Sequence, residues 1–327
     1  MIMITGGLGY VGLHTAAKLL EEDHQILIVD NLQASRLEML ERLEYLTGRP
    51  ATFVRQDIRN TPALQRIAEQ YGVTAVVHMA TQSTASHGFL PLELYNTNIG
   101  GLLSVLRVMS RTGINTLLFG SSSCIYAPSD KPVAESSEID PATPYARSYD
   151  YCEQILSDLA ADDRWRIAVM RYFEIGGADE SGLIGDIPRC APTRLLPCLA
   201  LGGSGGVDPQ ASARPGELPA GEIDMIHIDD VAEANMQALA RLHSEEEFFD
   251  CFNIGSGVGS SLDQIAKRFS EASGKHFEFA ASETLKNSRI ADLEYSKAEL
   301  KWAPKKTLQQ ICEDTWKFYE SIGDLKI

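Results

Sequence analysis

Through the first half of the chain, short apolar runs alternate with longer stretches in which apolar positions recur every three or four residues. The runs at residues 2–5, 25–30, 51–54, 75–78, 117–119 and 167–172 predict strands, and the stretches at 11–22, 92–111 and 145–161 predict amphipathic helices. Near-continuous apolar strands need cover on both faces. Their alternation with helices predicts an α/β fold, a doubly wound parallel sheet with helices on either side. After about residue 174 the rhythm breaks. Pro188, Pro192, Pro197, Pro209, Pro215 and Pro219, with a glycine-rich run at 202–206, mark an irregular region of the kind that forms binding loops or lids. Helical spacing returns at 229–242, 261–272 and 307–321. The expected organisation is one unit over residues 1–173 and a smaller C-terminal α/β unit over 174–327, with some strands interleaved.

Composition narrows the functional classes. At 327 residues and 44% hydrophobic, the chain can bury a full core. A formal net charge of −16 argues against nucleic acid or an anionic membrane as partner. No run approaches the ~20 apolar residues of a membrane span. Met1 leads straight into the apolar Ile2-Met3-Ile4 with no basic region ahead, so no secretory leader is expected. Six scattered cysteines without a Cys-x-x-Cys pair read as reduced thiols of a cytoplasmic protein, with no metal-ligand spacing. The run Glu245-Glu246-Glu247 reads as a solvated helix end, and Asp229 and Asp230 as acids favoured at a helix start.

The first candidate site lies between the first strand and first helix. Thr5-Gly6-Gly7-Leu8-Gly9-Tyr10-Val11-Gly12 places glycines where a tight turn must bring backbone N–H groups close to a pyrophosphate. That phosphate would sit at the positive end of the helix dipole, held by the backbone of Gly6, Gly9, Tyr10, Val11 and Gly12. Asp30 ends the second strand, where an acid suits the ribose hydroxyls of NAD and repels the extra phosphate of NADP. Asn31 and Arg36 nearby keep NADP open. Asp57, at the end of the third strand in Gln56-Asp57-Ile58, is placed to meet an adenine. The expected cofactor is NAD in a Rossmann-type site.

Further matches run in order along the chain. They are Val29-Asp30-Asn31-Leu32, Asp57-Ile58-Arg59-Asn60, His78-Met79-Ala80, Ser121-Ser122-Ser123-Cys124-Ile125-Tyr126, Pro144-Tyr145, Glu153-Gln154-Ile155-Leu156, Arg171-Tyr172-Phe173, Ile226-His227-Ile228-Asp229-Asp230-Val231 and Phe252-Asn253-Ile254-Gly255. With the glycine loop, they make the chain resemble the extended short-chain dehydrogenase/reductase family, most closely its UDP-glucose 4-epimerases. The resemblance implies a recycled NAD contacted also by Met79, Ala80, Asn98, Tyr145 and Tyr172. It implies Tyr145 as catalytic base and Ser122 as its hydroxyl partner, with Ser123 and Cys124 lining the substrate pocket. It also implies a homodimer that pairs the helices at 92–111 and 145–161, and a small-molecule substrate, in the first instance a nucleotide sugar.

The departures are as specific as the matches. The family's catalytic lysine, four residues after the tyrosine, is Tyr149 here. An Asn after the Arg-Tyr-Phe strand is Glu174, the Asn of a Pro-Asn-Asn-Leu segment is Arg194, an Arg before the Ile-His strand is Ile223, and a late Asp aligns with Leu285. A free tyrosine has a pKa of about 10, so only about one in a thousand is ionised at neutral pH. A lysine about 5 Å away, at an effective dielectric near 20, favours the tyrosinate by roughly 3 kcal/mol, or about two pKa units. Tyr149 stands one helical turn from Tyr145, on the same face, and supplies no charge; Arg147 projects to the opposite side. Three readings stand open: an NAD-dependent enzyme with altered acid–base residues, among them Glu174, His78 or Cys124; a non-catalytic NAD-binding protein; and a slowed epimerase. Glu174 and Arg194 are the candidate substrate contacts in the altered pocket.

Overall fold

The computed structural model describes residues 1–82, 91–161, 164–187, 194–202, 221–244, 248–277 and 288–323. Pro188, Pro192, Pro209, Pro215 and Pro219, most of the glycine run, Glu245–Glu247 and Leu285 lie outside the described residues.

Seven parallel strands form the main sheet. In chain order they are β1 (Ile2–Thr5), β2 (Ile26–Asp30), β3 (Thr52–Arg55), β4 (Ala75–His78), β5 (Thr116–Ser122), β6 (Arg166–Tyr172) and β9 (Phe248–Ile254). Their spatial order is β3-β2-β1-β4-β5-β6-β9. Every residue of β1, β2 and β4 is buried, as a sheet covered on both faces requires. Cover comes from α1 (Tyr10–Glu21), α2 (Glu38–Thr47), α3 (Thr61–Gln70), α4 (Pro91–Thr112) and α5 (Pro144–Ala160). A second sheet joins β7 (Glu174–Gly176) in parallel to β8 (Ile223–His227), with β10 (Gly259–Ser260) antiparallel on the other side of β8. Around it lie α6 (Leu195–Gly202), α7 (Ile228–Ser244), α8 (Leu262–Ser273), α9 (Glu294–Leu300) and α10 (Leu308–Ile322).

The chain crosses between the sheets more than once. Residue 173 separates β6 from β7, yet β9 returns to pair with β6 over its whole length. Helix α7 packs on α1, β5 and β6. Two helices, α2 and α3, fill stretches outside the helices predicted from the sequence. α2 buries only Met39 and Leu43, and α3 only Leu64 and Ala68. Strand β3 stops at Arg55, so Asp57 lies in the loop beyond it and not at the strand's end.

A buried ionic network ties α5 to β6 and β9. Arg171 Nη2 and Nε donate to the Glu153 carboxylate at 2.7 and 3.1 Å, and its Nη1 donates to the Tyr126 hydroxyl and the Glu135 carbonyl, each at 2.8 Å. Tyr126 in turn donates to Asn253 Oδ1 at 2.7 Å. Removing one partner of such a pair costs about 3–5 kcal/mol, because the other charge is left buried and unpaired. The network therefore holds the helix that carries Tyr145 and Tyr149 in one register against the sheet. Among the described residues, no helix is long and apolar enough to cross a membrane.

Candidate active site

The loops after β1, β4, β5 and β6 converge at the carboxyl edge of the sheet, where open α/β sheets bind ligands. The glycine loop is built for close approach. Gly6 has φ +67°, and a Cβ there would stand 2.7 Å from the Ala80 backbone. At Gly12 a Cβ would meet the Gly6 carbonyl oxygen at 2.4 Å and Gly7 Cα at 2.8 Å. Helix α1 starts after Gly9 with no side chain capping it, which leaves its first N–H groups to an anion. Asp30 is held from below by the protein itself. Its Oδ2 accepts from the Leu8 N–H at 3.1 Å, and its Oδ1 accepts from the Leu32 N–H at 2.8 Å and Ser35 Oγ at 2.7 Å. Three donors do not exhaust the roughly four lone-pair sites of a carboxylate, so capacity remains for a ribose hydroxyl. The uncapped helix, the close-packed glycines and the fixed acid fit a dinucleotide.

The other expected cofactor residues cluster around this cradle. Met79 and Ala80 form the turn against which Gly6 packs. Arg59 grips both oxygens of Asp57, with Nε at 3.0 Å and Nη2 at 2.7 Å, and holds its carboxyl below the usual range. Ile58 is buried against Gly101 of α4. Asn31 donates to Gln33 and hydrogen-bonds Asp57. The Tyr172 hydroxyl donates to Asn235 Oδ1 at 2.8 Å, and burial pushes its pKa up. Asn98 is 1% exposed and spends its amide on neighbours: Oδ1 accepts from the Gln82 N–H at 2.7 Å, and Nδ2 donates to the Gln82 carbonyl and to Ser148 Oγ.

Tyr145 sits on the first turn of α5, which begins where the Thr143 side chain accepts from the Ala146 N–H and Pro144 supplies a ready φ. The Tyr145 hydroxyl donates to the Tyr149 hydroxyl at 3.3 Å, and Tyr149 donates to Thr81 Oγ1 at 3.0 Å. The two rings meet edge to face at 5.0 Å. Arg147 turns to the opposite side, toward Tyr95 and the carbonyls of Pro141 and Ala142. Among the serines, Ser121 is buried and donates to Glu153, which takes it out of any substrate contact. Ser122 is half-buried and accepts from the Cys124 N–H at 3.3 Å, leaving its own proton to donate. Ser123 is half-buried and Cys124 buried. His78 is fully buried with Nδ1 2.7 Å from Thr5 Oγ1, and burial pushes its pKa down to about 4. It is an enclosed neutral ring, which removes it from the acid–base candidates.

The altered substrate positions fall on two elements. Glu174 opens β7, half-buried, in register with Met225 of β8. Arg194 precedes α6, with Nη1 3.4 Å from Asp186 and its guanidinium 4.7 Å over the Tyr10 ring. Tyr10 itself donates to the Gly177 carbonyl, so these residues link the glycine loop to the second sheet. Ile223 is buried in β8. Sequence reasoning missed Thr81 and Ser148. Neither belongs to a recognisable motif, and each acquires its neighbours only when β4, α4 and α5 are assembled.

The sheet, the glycine cradle and the tyrosine-bearing helix together define a dinucleotide-dependent redox enzyme. Residues 2–255 match the family model described as the NAD dependent epimerase/dehydratase family, and the chain belongs to that family. The UDP-glucose 4-epimerase of Neisseria meningitidis serogroup A is 35% identical over 97% of this chain and 96% of its own length. That of Bacillus subtilis is 32% identical over 98% and 97%. Among solved structures, the Stenotrophomonas maltophila UDP-glucose-4-epimerase with bound NAD and formylated UDP-arabinopyranose superposes with a TM-score of 0.89 at 32% identity, covering 98% of each chain. The Bifidobacterium longum UDP-glucose 4-epimerase in complex with NAD+ and UDP gives 0.88 at 28% identity, again over 98% of each.

Proposed function

We propose that this enzyme isomerises a nucleotide sugar by transient oxidation of one secondary alcohol, with Tyr145 as the proton-handling residue. The observation that supports this most directly is the Tyr145 phenol itself, on the first turn of α5 beside the carboxyl end of β5 and hydrogen-bonded within the site. NAD, when bound, supplies the acceptor and later the donor of the hydride. Tyr145 takes the proton of the sugar hydroxyl and returns it when the carbonyl is reduced from its other face. Ser122 holds the same oxygen through its free proton. The backbone of Gly6, Gly9, Tyr10, Val11 and Gly12, with Asp30, Asn31, Asp57, Ile58, Met79, Ala80, Asn98 and Tyr172, forms the cofactor wall. Ser123, Cys124, Glu174 and Arg194 are the proposed substrate-side contacts. Arg194 is already paired with Asp186, so it would meet a diphosphate as one member of a pair.

The division into a cofactor unit up to residue 173 and a substrate unit beyond it accompanies this reading, as does a cytoplasmic location. α4 and α5 pack together and leave Leu92 at 70% and Tyr151 at 43% exposure. A homodimer through this face is proposed, and light scattering of the purified protein is expected to return twice the 35.9 kDa chain mass. The neutral phenol at position 149 favours a second reading, a non-catalytic cofactor-binding protein.

The test is to incubate NAD-loaded protein and its Tyr145→Phe variant with UDP-glucose, UDP-galactose, other nucleotide sugars and unphosphorylated sugars. Absorbance of reduced nicotinamide and product stereochemistry are followed. Epimerised product that disappears in Tyr145→Phe is the expected result. Bound NAD with no product across the panel would instead favour the non-catalytic reading.

A further inference from the structure

We infer that Tyr145, Tyr149 and Thr81 form a reversible hydroxyl chain that stabilises the Tyr145 phenolate in place of a fixed positive charge. The inference rests on Tyr145 being the base. In the neutral state the chain runs outward, Tyr145 donating to Tyr149 and Tyr149 to Thr81. Each of the three groups can both donate and accept, so the direction is not fixed by chemistry. When Tyr145 loses its proton it can only accept. The chain then reverses: Thr81 donates to Tyr149, and Tyr149 donates to the Tyr145 oxygen. Hydrogen bonds to an ionised acceptor are shorter and about twice as strong as neutral ones, so reversal favours the phenolate. The 3.3 Å spacing between the phenols is loose for the neutral pair, and contacts of this kind tighten when charge develops.

The geometry around the chain keeps its ends in place. The Thr81 N–H donates to the Met79 carbonyl at 2.9 Å, closing the turn after β4. The next residue, Gln82, is held by Asn98 through two hydrogen bonds. The same Asn98 amide donates to Ser148 Oγ at 2.9 Å, and Ser148 donates to the Tyr145 carbonyl at 2.7 Å. One buried side chain on α4 thus fixes the Thr81 turn to the helical turn that bears both tyrosines. Asn98 and Thr81 are positioning residues in this scheme. Three ionisable side chains among the described residues near the chain are engaged elsewhere. His78 of β4 is enclosed and neutral, Tyr172 of β6 is committed to Asn235, and Arg147 points away from the chain.

The test reads the phenol directly. Cofactor-loaded protein carrying tyrosine labelled with 13C at Cζ is titrated by NMR, and the Tyr145 resonance is assigned by its loss in Tyr145→Phe. Tyr149→Phe keeps the ring and removes the hydroxyl; it should raise the Tyr145 midpoint by about one pH unit or more. Thr81→Val should raise it by a smaller amount, and Thr81→Ser should restore it. A midpoint unmoved by Tyr149→Phe, or unmoved by Thr81→Val, overturns the chain. The midpoint is read without turnover. A protein inert toward every sugar but showing these shifts keeps the chain and loses the epimerase reading.

Discussion

Tyr149→Lys is expected to raise Tyr145-dependent turnover at neutral pH about tenfold over the natural protein and about a hundredfold over Tyr149→Phe. An ammonium about 5 Å from the phenol, at an effective dielectric near 20, favours the phenolate by roughly 3 kcal/mol, or about two pH units. The hydroxyl chain already supplies about one of those units, and Tyr149→Phe supplies none. While the tyrosinate fraction limits the rate, each unit is tenfold. The environment can receive a lysine, since Thr81 Oγ1, 3.0 Å from the present phenol, is an acceptor for its ammonium. Packing will suffer. Tyr149 is 5% exposed, with its ring 5.0 Å from Tyr145 and 6.3 Å from Phe119, so a lower melting temperature should accompany the gain. Initial rates against pH for the three proteins decide the matter. An unchanged profile in Tyr149→Lys would mean that charge at this position does not limit the reaction.

A second large effect is expected in acid. His14 and His78 are both buried, and burial pushes each pKa down to about 4. His14 Nδ1 bonds the Tyr10 carbonyl at 2.9 Å and so carries the proton, leaving Nε2 a bare, buried lone pair. Protonating that nitrogen would place a charge in a buried site, where desolvation outweighs the Ile184 backbone and the Asp179 charge that would favour it. The sign follows from linkage. Between about pH 6.5 and 4 the unfolded chain binds protons at these rings and the folded chain does not, so stability falls as pH falls. Full expression would cost about 3 kcal/mol per ring, on the order of 6–7 together. Asp229 opposes this. Burial pushes its pKa up to about 6, so its protonation relieves the fold over much of the same window, by roughly 3 kcal/mol.

Asp224 and Asp250, also raised by burial, oppose the rings in the same way as Asp229. The expected net loss is therefore a fraction of the roughly 6–7 kcal/mol of the two rings, still sizeable against a typical total of about 5–15. Denaturant unfolding at pH 7 and pH 4.5 should show it, and a His14→Gln/His78→Gln double variant should flatten the slope. Equal stabilities at both pH values in the natural protein would remove the rings from the account.

Much of the architecture is readable because its causes are local. The apolar runs that became β1, β2, β4 and β6 had to be buried on both faces, and a parallel sheet with helical crossovers is how a chain does that. The glycine loop is equally legible, since Gly6 and Gly12 stand where no Cβ fits. α2 and α3 carry helical spacing too, Met39, Leu43 and Leu46 in one and Leu64, Ile67 and Ala68 in the other, yet stand outside the helices predicted from the sequence. Asp57 was placed one element too early because the end of β3 is set by its pairing with β2 through Arg55, not by its own apolar content.

The active site divides in the same way. The sequence by itself determined that Tyr145 and Tyr149 share a helix face and that position 149 has no lysine, because both facts follow from spacing along one helix. It also determined the family, through motifs whose order is itself the signal. Only the tertiary structure decided that Ser121 belongs to Glu153, leaving Ser122 with a proton to donate. Only it brought Thr81 to the end of the tyrosine pair, and Arg194 onto Tyr10 and Asp186. These partners lie 32, 68 and 184 residues apart for Ser121–Glu153, Thr81–Tyr149 and Tyr10–Arg194. Their meeting depends on how strands and helices from distant parts of the chain pack, and a hydroxyl or guanidinium carries no mark in the sequence of which partner it will find.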